Sequence, residues 1–406
     1  VVSFTGSAAT AAKLKTHPTI IEHSVPFIAE QDSLNASMLG PEVTHDDEEF
    51  QLFVKEVVRE MTVKAGQKCT AIRRILVSSA QIDAVQDALA QKLSGIAIGD
   101  PADRATRMGA LVSSAQRTDV LSRVRDLGDE AQIVHGSLDD PELVGEGARA
   151  GAFMSPVLLR CSAPLSAHKV HAVEAFGPVA TLMPYDTVAD AIELCRRGGG
   201  SLVMSLFTHD QTTAREVVLG TAPFHGRVAI INRDCAKEST GHGSPLPVLV
   251  HGGPGRAGGG EEMGGVRGVK HYMQRTAIQG SPDMLTAITE SWVAGAATDT
   301  SAPHPFRYKF GDLEIGKTIE TGSRTVSLED IEHFAKFTGD NFYAHMNEEA
   351  AAANPFFPGR VAHGYLILSF AAGLFVDPEP GPVLANYGLD DLRFLAPVSP
   401  GETLTV

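Results

Sequence analysis

The segment Ala65-Gly66-Gln67-Lys68-Cys69-Thr70-Ala71 places one cysteine between a stretch with helical apolar spacing, residues 48–61, and a strand-like run, residues 72–77. A free thiol titrates at about 8.5, so a nucleophilic cysteine needs help to ionise, which Lys68 and the following turn could supply. A lone cysteine is more often a small buried hydrophobe. Taken alone, the segment therefore favours a structural role for Cys69. Whether Cys69 is a nucleophile depends on the motifs around it.

Short apolar strands alternate with amphipathic helices on both sides of this segment. This alternation is typical of an α/β fold. Residues 20–28 are predicted to form one or two strands. The other predicted strands are 1–4, 72–77, 201–207 and 227–232, and the predicted helices are 8–15, 48–61, 82–93, 187–197 and 212–219.

The composition excludes several classes of function. A chain of 406 residues predicts two or three domains, and a net charge of −15 without a run of lysine and arginine argues against nucleic-acid or anionic-membrane binding. The apolar run 365–376 is too short to cross a bilayer, and no signal peptide is visible. The cysteines Cys69, Cys161, Cys195 and Cys235 are widely spread, which predicts reduced thiols and a cytoplasmic protein.

Both ends of the chain have the character of strands. Val1-Val2-Ser3-Phe4 reads as a strand interior, and residues 401–406 alternate as a strand that has just begun after a turn. We therefore expect a fragment that is truncated at both ends.

Further motifs, in order along the chain, decide the interpretation of Cys69. They are Phe4-Thr5-Gly6-Ser7, Phe27-Ile28-Ala29-Glu30, Gly99-Asp100-Pro101, Met108-Gly109-Ala110-Leu111 and Glu174-Ala175-Phe176-Gly177-Pro178-Val179. With the cysteine segment between them, they resemble the aldehyde dehydrogenase superfamily, whose nucleophile lies in a Gly-Gln-x-Cys run. The resemblance implies Cys69 as nucleophile and Glu30 as general base. The cofactor contacts that it implies are Gly6, Ser7, Glu174 and Phe176, with NADP as the expected cofactor and NAD left open.

The implied chemistry explains these residue types. The Cys69 thiolate attacks the aldehyde, hydride leaves for the nicotinamide, and Glu30 takes a proton from the water that hydrolyses the thioester. We expect burial to raise the pKa of Glu30 towards the working pH. The Cys69 backbone N–H can supply one oxyanion donor. The family's second donor, an asparagine from well upstream, and most of the dinucleotide site are absent, so we expect this chain alone to be inactive as a dehydrogenase.

Two stretches depart from the usual family pattern. Glu30-Gln31-Asp32-Ser33-Leu34-Asn35 replaces the usual Glu-Leu-Gly-Gly-Lys run and is typical of a branch found in bacterial phenylacetate degradation. Residues 252–260 are glycine-rich and replace a Pro-Phe-Gly-Gly run. They form neither a Walker loop nor a Rossmann fingerprint, and the family places such a loop near the active-site mouth and a subunit contact.

A second constellation lies in Phe337-Thr338-Gly339-Asp340-Asn341-Phe342-Tyr343-Ala344-His345. In isolation, Gly339-Asp340-Asn341 would only turn the chain and His345 would be a surface residue. The run resembles the Gly-Asp-x-Asn-Pro-x-His signature of MaoC-type hot-dog hydratases, although Phe342 and Tyr343 replace the Asn-Pro pair. Residues 357–365 and 391–402 resemble the start of the family's central helix and a strand followed by a turn. The resemblance implies that Asp340 and His345 activate a water and that the Gly364 N–H polarises a CoA-thioester carbonyl.

The predicted architecture is a partial α/β aldehyde dehydrogenase fold followed by a partial α+β hot-dog domain. The predicted divisions are 1–35 (remnant of the dinucleotide-binding domain), 36–240 (catalytic domain), 241–293 (glycine-rich segment and end of the dehydrogenase), 294–305 (linker) and 306–406 (hot-dog domain).

The order of the two domains favours a bifunctional ring-opening enzyme. Water added to a cyclic enol ether gives a hemiacetal that collapses to an aldehyde, the substrate of a dehydrogenase. The resemblance implies oxepin-CoA as the hydratase substrate and NADP-dependent oxidation of the resulting semialdehyde. The alternatives are a dehydrogenase for another aldehyde joined to a straight-chain enoyl-CoA hydratase, or joined to a non-catalytic assembly module. Both families associate, so a homo-oligomer is expected.

Overall fold

The computed structural model describes residues 1–145, 151–246, 249, 251–260, 265–289, 293, 295–297, 304–377, 381 and 385–406. The chain divides into two compact units, Val1–Gln274 and Arg275–Val406. The expected linker, residues 294–305, lies mostly outside the described residues. None of the helices within the described ranges combines the length and the apolar character that a bilayer span needs.

The first unit alternates strands and helices as the sequence predicts. Its elements are β1 (Val2–Thr5), α1 (Ala8–Lys15), α2 (Pro18–Glu22), β2 (Phe27–Glu30), β3 (Asn35–Leu39), α3 (Glu48–Thr62), β4 (Ile72–Ser78), α4 (Ile82–Ser94), α5 (Ser114–Leu127), β5 (Gln132–His135), β6 (Val157–Arg160), β7 (Val179–Tyr185), α6 (Val188–Arg197), β8 (Ser201–Phe207), α7 (Gln211–Thr221), β9 (His225–Ile231), β10 (His251–Gly253), β11 (Gly258–Gly260) and α8 (Val266–His271).

A seven-stranded sheet carries the core of this unit. Its strand order is β5-β6-β7-β4-β3-β8-β9, and every neighbouring pair is parallel except β5 with β6. Every residue of β3, β4 and β8 is buried, as expected for parallel strands covered on both faces. Ile75 and Val77 pack in one apolar cluster and Leu76 in another, because successive side chains of a strand point to opposite faces.

A smaller sheet has the order β1-β2-β11-β10. Strands β1 and β2 are parallel, and β11 pairs antiparallel with β2 through Gly258 and Glu30. Gly258 has a φ of +63°, and a Cβ there would lie 2.0 Å from the Ala29 carbonyl oxygen. The glycine-rich stretch is therefore more than a loop, since it forms the β10–β11 hairpin (His251–Gly260). Strand β11 approaches β2 closely because its three residues are glycines.

The second unit is helical around a small sheet. Its elements are α9 (Pro282–Thr289), β12 (Ser323–Thr325), α10 (Leu328–Thr338), α11 (Tyr343–Met346), α12 (Glu348–Ala352), α13 (Gly364–Phe375) and β13 (Thr403–Thr405). Strands β12 and β13 are antiparallel. Val326, Ile331, Ala362 and Leu366 form its buried apolar cluster, which brings α10 and α13 together.

Three predicted strand segments differ from the structure. At residues 20–28, a strand does begin at Phe27, but Pro18–Glu22 is a helix, because His17 caps it and Pro18 has a φ suited to a first helical turn. The sequence also predicts a strand near residues 307–310, where the structure has two 3₁₀ turns, Pro305–Arg307 and Phe310–Asp312. The strand expected in residues 391–400 has no regular pairing.

Candidate active site

The loop before Cys69 has an unusual backbone. Lys64, Ala65 and Gly66 all have positive φ values, +55°, +51° and +66°, which cost conformational energy at the two residues with a Cβ. A Cβ at Gly66 would lie 2.2 Å from the Gly177 carbonyl oxygen. The buried Arg73 guanidinium joins both segments by donating hydrogen bonds to Gly66 O (2.8 Å) and Gly177 O (2.6 Å).

Asn35 fixes the other side of the cysteine loop. Its amide nitrogen donates to Cys69 O at 2.8 Å and to Ala71 O at 2.9 Å. Its oxygen accepts from the Ser33 hydroxyl and from the Val203 backbone N–H. The first residue of β3 therefore sets the position of the Cys69 backbone.

The side chains of Cys69, Glu30 and His251 form one cluster. The Cys69 sulfur lies 3.8 Å from His251 Nε2, which is 3.4 Å from Glu30 Oε2. The potential metal-ligating atoms of all three side chains lie within 4.8 Å of one another. Glu30 arrives at the end of β2 and His251 at the start of β10, so the small sheet brings the general-base candidate and the imidazole together.

Sequence reasoning found Cys69 and Glu30 but missed His251. The only local signal was a histidine at the edge of the glycine-rich stretch, and its distance from Glu30 depends on strand pairing far along the chain.

The charges around this cluster differ from the expectation. Burial raises the pKa of the Cys69 thiol to about 12, and the nearby Glu30 carboxylate adds to the shift. Burial also acts to raise the pKa of Glu30, but the interactions of the carboxylate with His251 and Cys69 outweigh it and the net pKa is lowered. The expected rise of the Glu30 pKa is therefore wrong. Lys68 does not serve the thiol either, because its ammonium donates to buried Glu60 at 2.7 Å.

A cavity of about 420 Å³ opens at Cys69 and Glu30. Its lining also includes all four expected cofactor contacts, Gly6, Ser7, Glu174 and Phe176. The catalytic candidates and the cofactor candidates, although far apart in the sequence, thus share one space.

Glu174 tests whether this cavity fits a nicotinamide dinucleotide. Its Oε2 accepts from the Ser33 N–H at 3.3 Å, and its Oε1 lies 3.5 Å from Arg73 Nε. No described group donates a hydrogen bond to Oε1, although the atom is buried. Burial raises the pKa of Glu174 to about 7. Glu174 lines the cavity, and a carboxyl group there can accept a hydrogen bond from a sugar hydroxyl, so the residues present fit the ribose of such a cofactor.

The second unit holds another cluster. Gly339, with a φ of +81°, ends α10 and turns the chain to the exposed Asp340. The potential ligating atoms of Asp340, His345 and His363 lie within 4.8 Å of one another. The structure therefore brings the two predicted residues together and adds His363, which the sequence analysis did not assign to the site.

The two imidazoles of this cluster are held by backbone carbonyls. His345 Nδ1 donates to Val361 O at 2.7 Å, which leaves Nε2 of a neutral ring as an acceptor for a water proton. His363 Nε2 donates to Asp340 O, and the two rings stack with centroids 3.7 Å apart. Burial lowers the pKa of His363. The next residue, Gly364, begins α13, and a Cβ there would lie 2.5 Å from the Phe394 ring.

Comparison with known proteins identifies both units. The aldehyde dehydrogenase family profile matches residues 1–278, and the MaoC-like domain profile matches residues 311–406. Protein MaoC of Klebsiella aerogenes is 53% identical over 300 residues, 74% of this chain and 88% of that protein. The 3,4-dehydroadipyl-CoA semialdehyde dehydrogenase of Aromatoleum evansii is 46% identical over 254 residues, 63% of this chain and 49% of that protein.

A solved aldehyde dehydrogenase structure has the same fold as the first unit. Betaine aldehyde dehydrogenase from Staphylococcus aureus, in complex with NAD+, superposes with a TM-score of 0.54 at 25% identity, covering 67% of this chain and 49% of that one. The fold is therefore one that binds a nicotinamide cofactor. Relative to this structure and to the A. evansii enzyme, the chain spans about half their length. The predicted fold class is confirmed, and the chain belongs to the aldehyde dehydrogenase family, with a MaoC-like domain following its dehydrogenase part.

Proposed function

We propose that the protein is a bifunctional enzyme of aerobic phenylacetate degradation, which opens a ring in its MaoC-like domain and oxidises the resulting aldehyde in its dehydrogenase domain. The observation that carries the proposal is the shared cavity in which Cys69 and Glu30 meet the four cofactor candidates. The name of the A. evansii relative supports a CoA-linked semialdehyde as the substrate class.

In the first half-reaction, the Cys69 sulfur attacks the aldehyde carbon and forms a thiohemiacetal. The Cys69 N–H can donate to the developing oxyanion, and Asn35 holds this backbone in place through the Cys69 and Ala71 carbonyls. A nicotinamide dinucleotide, when bound, accepts the hydride. Gly6, Ser7, Glu174 and Phe176 are the residues that would hold it.

In the second half-reaction, Glu30 takes a proton from water, which attacks the thioester on Cys69 and releases the acid. Hydrogen bonds to the ionised Glu30 lower its pKa, so the carboxylate is present as a base at neutral pH. The lowered pKa also makes the Glu30 carboxylate a weaker base.

In the MaoC-like domain, Asp340 and His345 would orient and deprotonate a water that adds to an enol ether conjugated with a CoA thioester. His345 has its Nε2 available for this because Nδ1 is engaged by Val361 O. We propose that the Gly364 N–H at the start of α13 polarises the thioester carbonyl.

The finer assignment is oxepin-CoA as the ring substrate and 3-oxo-5,6-dehydrosuberyl-CoA semialdehyde as the aldehyde, with NADP as cofactor, NAD remaining open. The protein would act in the cytoplasm as a homo-oligomer. The competing candidate keeps the dehydrogenase and makes the MaoC-like domain a straight-chain hydratase or an assembly module. The cluster of Asp340, His345 and His363 favours a catalytic domain over an assembly module.

The test follows reduced nicotinamide in the full-length protein with oxepin-CoA and NADP. Wild type should reduce NADP, Cys69→Ala should accumulate the semialdehyde or its rearrangement products, and Asp340→Asn should leave oxepin-CoA unconsumed. NADP reduction by Cys69→Ala at the wild-type rate would refute the first site. Consumption of oxepin-CoA by Asp340→Asn at the wild-type rate would refute the second and favour the assembly module.

A further inference from the structure

His251 has no part in the mechanism derived above, yet it contacts both catalytic candidates. Its Nε2 lies 3.8 Å from Cys69 Sγ and 3.4 Å from Glu30 Oε2. Its side chain is 17% exposed. The β10–β11 hairpin fixes its backbone, because β11 pairs with β2 at Glu30. The imidazole is therefore positioned at the reacting sulfur by the fold.

The buried sulfur needs a proton acceptor. Burial and the Glu30 carboxylate raise the pKa of the Cys69 thiol to about 12, so the thiol would hold its proton at neutral pH. Lys68, the neighbouring cation along the chain, is directed to Glu60. Because only the thiolate is a competent nucleophile, a base in contact with the sulfur must take this proton during the attack.

We propose that His251 is this base, and that it takes the Cys69 proton when the sulfur attacks the aldehyde. Before the attack, the neutral ring carries its proton on Nδ1 and faces the sulfur with the lone pair of Nε2. The S–H bond then breaks, an N–H bond forms at Nε2, and the electron pair of the broken bond becomes the nucleophile. The imidazolium that results lies beside the Glu30 carboxylate, which stabilises its charge. The proposal rests on the proposed function in taking Cys69 as the nucleophile.

Both groups are within reach of the thiol, and proton affinity favours His251 over Glu30 for this step. Glu30 also contacts the thiol, but its lowered pKa makes it a weak acceptor for a thiol proton. A Glu30 that had taken this proton would also have to release it before accepting one from the hydrolytic water. Two bases allow the two half-reactions to use different groups, with His251 acting on the thiol and Glu30 on the water.

Other charged groups around β10 are engaged elsewhere. On β9, His225 Nδ1 bonds the Ser201 hydroxyl, and Arg227 donates to the Gly241 and His242 carbonyls. The described residues of β11, Gly258–Gly260, bring no charge. His271 of α8 lies next to Gly260, the residue paired with His251, and Arg256 of the hairpin turn is paired with Asp32. Cys69 and Glu30 are the titratable groups that form a cluster with His251.

The test measures the alkylation rate of Cys69 by iodoacetamide in the full chain, by mass spectrometry of the labelled peptide. At about pH 7, His251→Gln should slow labelling of Cys69 by about tenfold or more, whereas Glu30→Gln should change it by less than about threefold. The half-buried Cys235 is an internal reference thiol in the same sample, and His209→Gln, an exposed histidine paired with Asp234, is the matched control. Cys235 should be labelled at the wild-type rate in every variant, and Cys69 should be labelled at the wild-type rate in His209→Gln.

The pH profile adds a second readout. Wild-type labelling should show an inflection within the range of about pH 5–8 in which imidazole titrates, and His251→Gln should lose it. Thermal melting checks folding, and His251→Asn repeats the test if the glutamine variant melts early. Unchanged labelling of Cys69 in a folded His251 variant would overturn the proposal, as would a larger effect of Glu30→Gln. NADP reduction by Cys69→Ala would instead refute the proposed function, so the two failures are distinguishable.

Discussion

At the scale of residues, the segment Asp32-Ser33-Leu34-Asn35 connects the parts of the dehydrogenase site. Asp32 accepts from the Ala8 N–H at the start of α1. Ser33 donates its N–H to Glu174 and its hydroxyl to Asn35, and its hydroxyl also accepts from the Leu202 N–H on β8. Asn35 holds the Cys69 loop. The polar residues of this variant run therefore join the cofactor side of the cavity to the nucleophile.

Asn35→Ala should lower both stability and the reactivity of Cys69. It leaves the buried Cys69 and Ala71 carbonyls without their amide donor, which costs about 1–3 kcal/mol in the free energy of unfolding. Because the Cys69 backbone also loses its anchor, kcat should fall more than KM rises. Urea unfolding and steady-state kinetics check this. A loss of stability with an unchanged kcat would show that Asn35 is structural only.

Glu174 should give the protein a distinctive pH dependence. Its pKa is raised by burial from 4.5 to about 7 in the folded state, so the folded protein binds more protons than the unfolded chain between these values. The contribution to stability is present below about pH 4.5 and is lost as the pH rises through about 7. Glu174→Gln should therefore gain on the order of 2 kcal/mol relative to wild type between about pH 5 and pH 8.

Urea unfolding at the two pH values measures this difference. Glu216→Gln, an exposed position on α7, is the matched control and should show no change with pH relative to wild type. A constant difference between Glu174→Gln and wild type would show that Glu174 is ionised in the folded state throughout this range.

At the scale of elements, strong periodicity predicts well and short apolar runs predict poorly. The helix predicted at 48–61 is observed at Glu48–Thr62, because its apolar spacing runs over four turns. The strand predicted from residue 20 fails because His17 and Pro18 start a helix in a segment too short for periodicity to decide. Cys69 and Glu30 were predictable from local motifs. The approach of His251 was not, because it depends on a hairpin pairing across the chain.

The hairpin should tolerate no side chain where it meets β2. Gly258→Ala would place a Cβ 2.0 Å from Ala29 O and displace the strand that carries Glu30. Gly265→Ala is the matched control, since its φ of +61° is nearly the same but no atom of the described residues lies within 4 Å of the added Cβ. The control should lose only the conformational cost of about 1–2 kcal/mol, whereas Gly258→Ala should lose more and also slow turnover. Melting temperatures and NADP reduction check this. Equal losses in the two variants would mean that the hairpin can shift away from β2.

At the scale of the whole molecule, each unit has its own apolar core. Two clusters lie within residues 1–274 and a third within residues 275–406, and no described cluster draws residues from both. The sequence predicted this division through two unrelated sets of motifs. The linker at residues 294–305 stays a prediction, because segments between domains carry little periodic signal.

Separate cores predict separate responses to a core mutation. Ile331 is fully buried in the cluster between α10 and α13, so Ile331→Ala should cost about 2–4 kcal/mol within the second unit. Hydrogen exchange of the full chain, followed by mass spectrometry, should show faster exchange in peptides of residues 304–377 and unchanged exchange in the strands of the seven-stranded sheet. Leu328→Ala, an exposed leucine on the same helix, controls for the loss of a leucine-sized side chain and should leave both units unchanged. Faster exchange in β3, β4 and β8 of the Ile331 variant would mean that the two units unfold together.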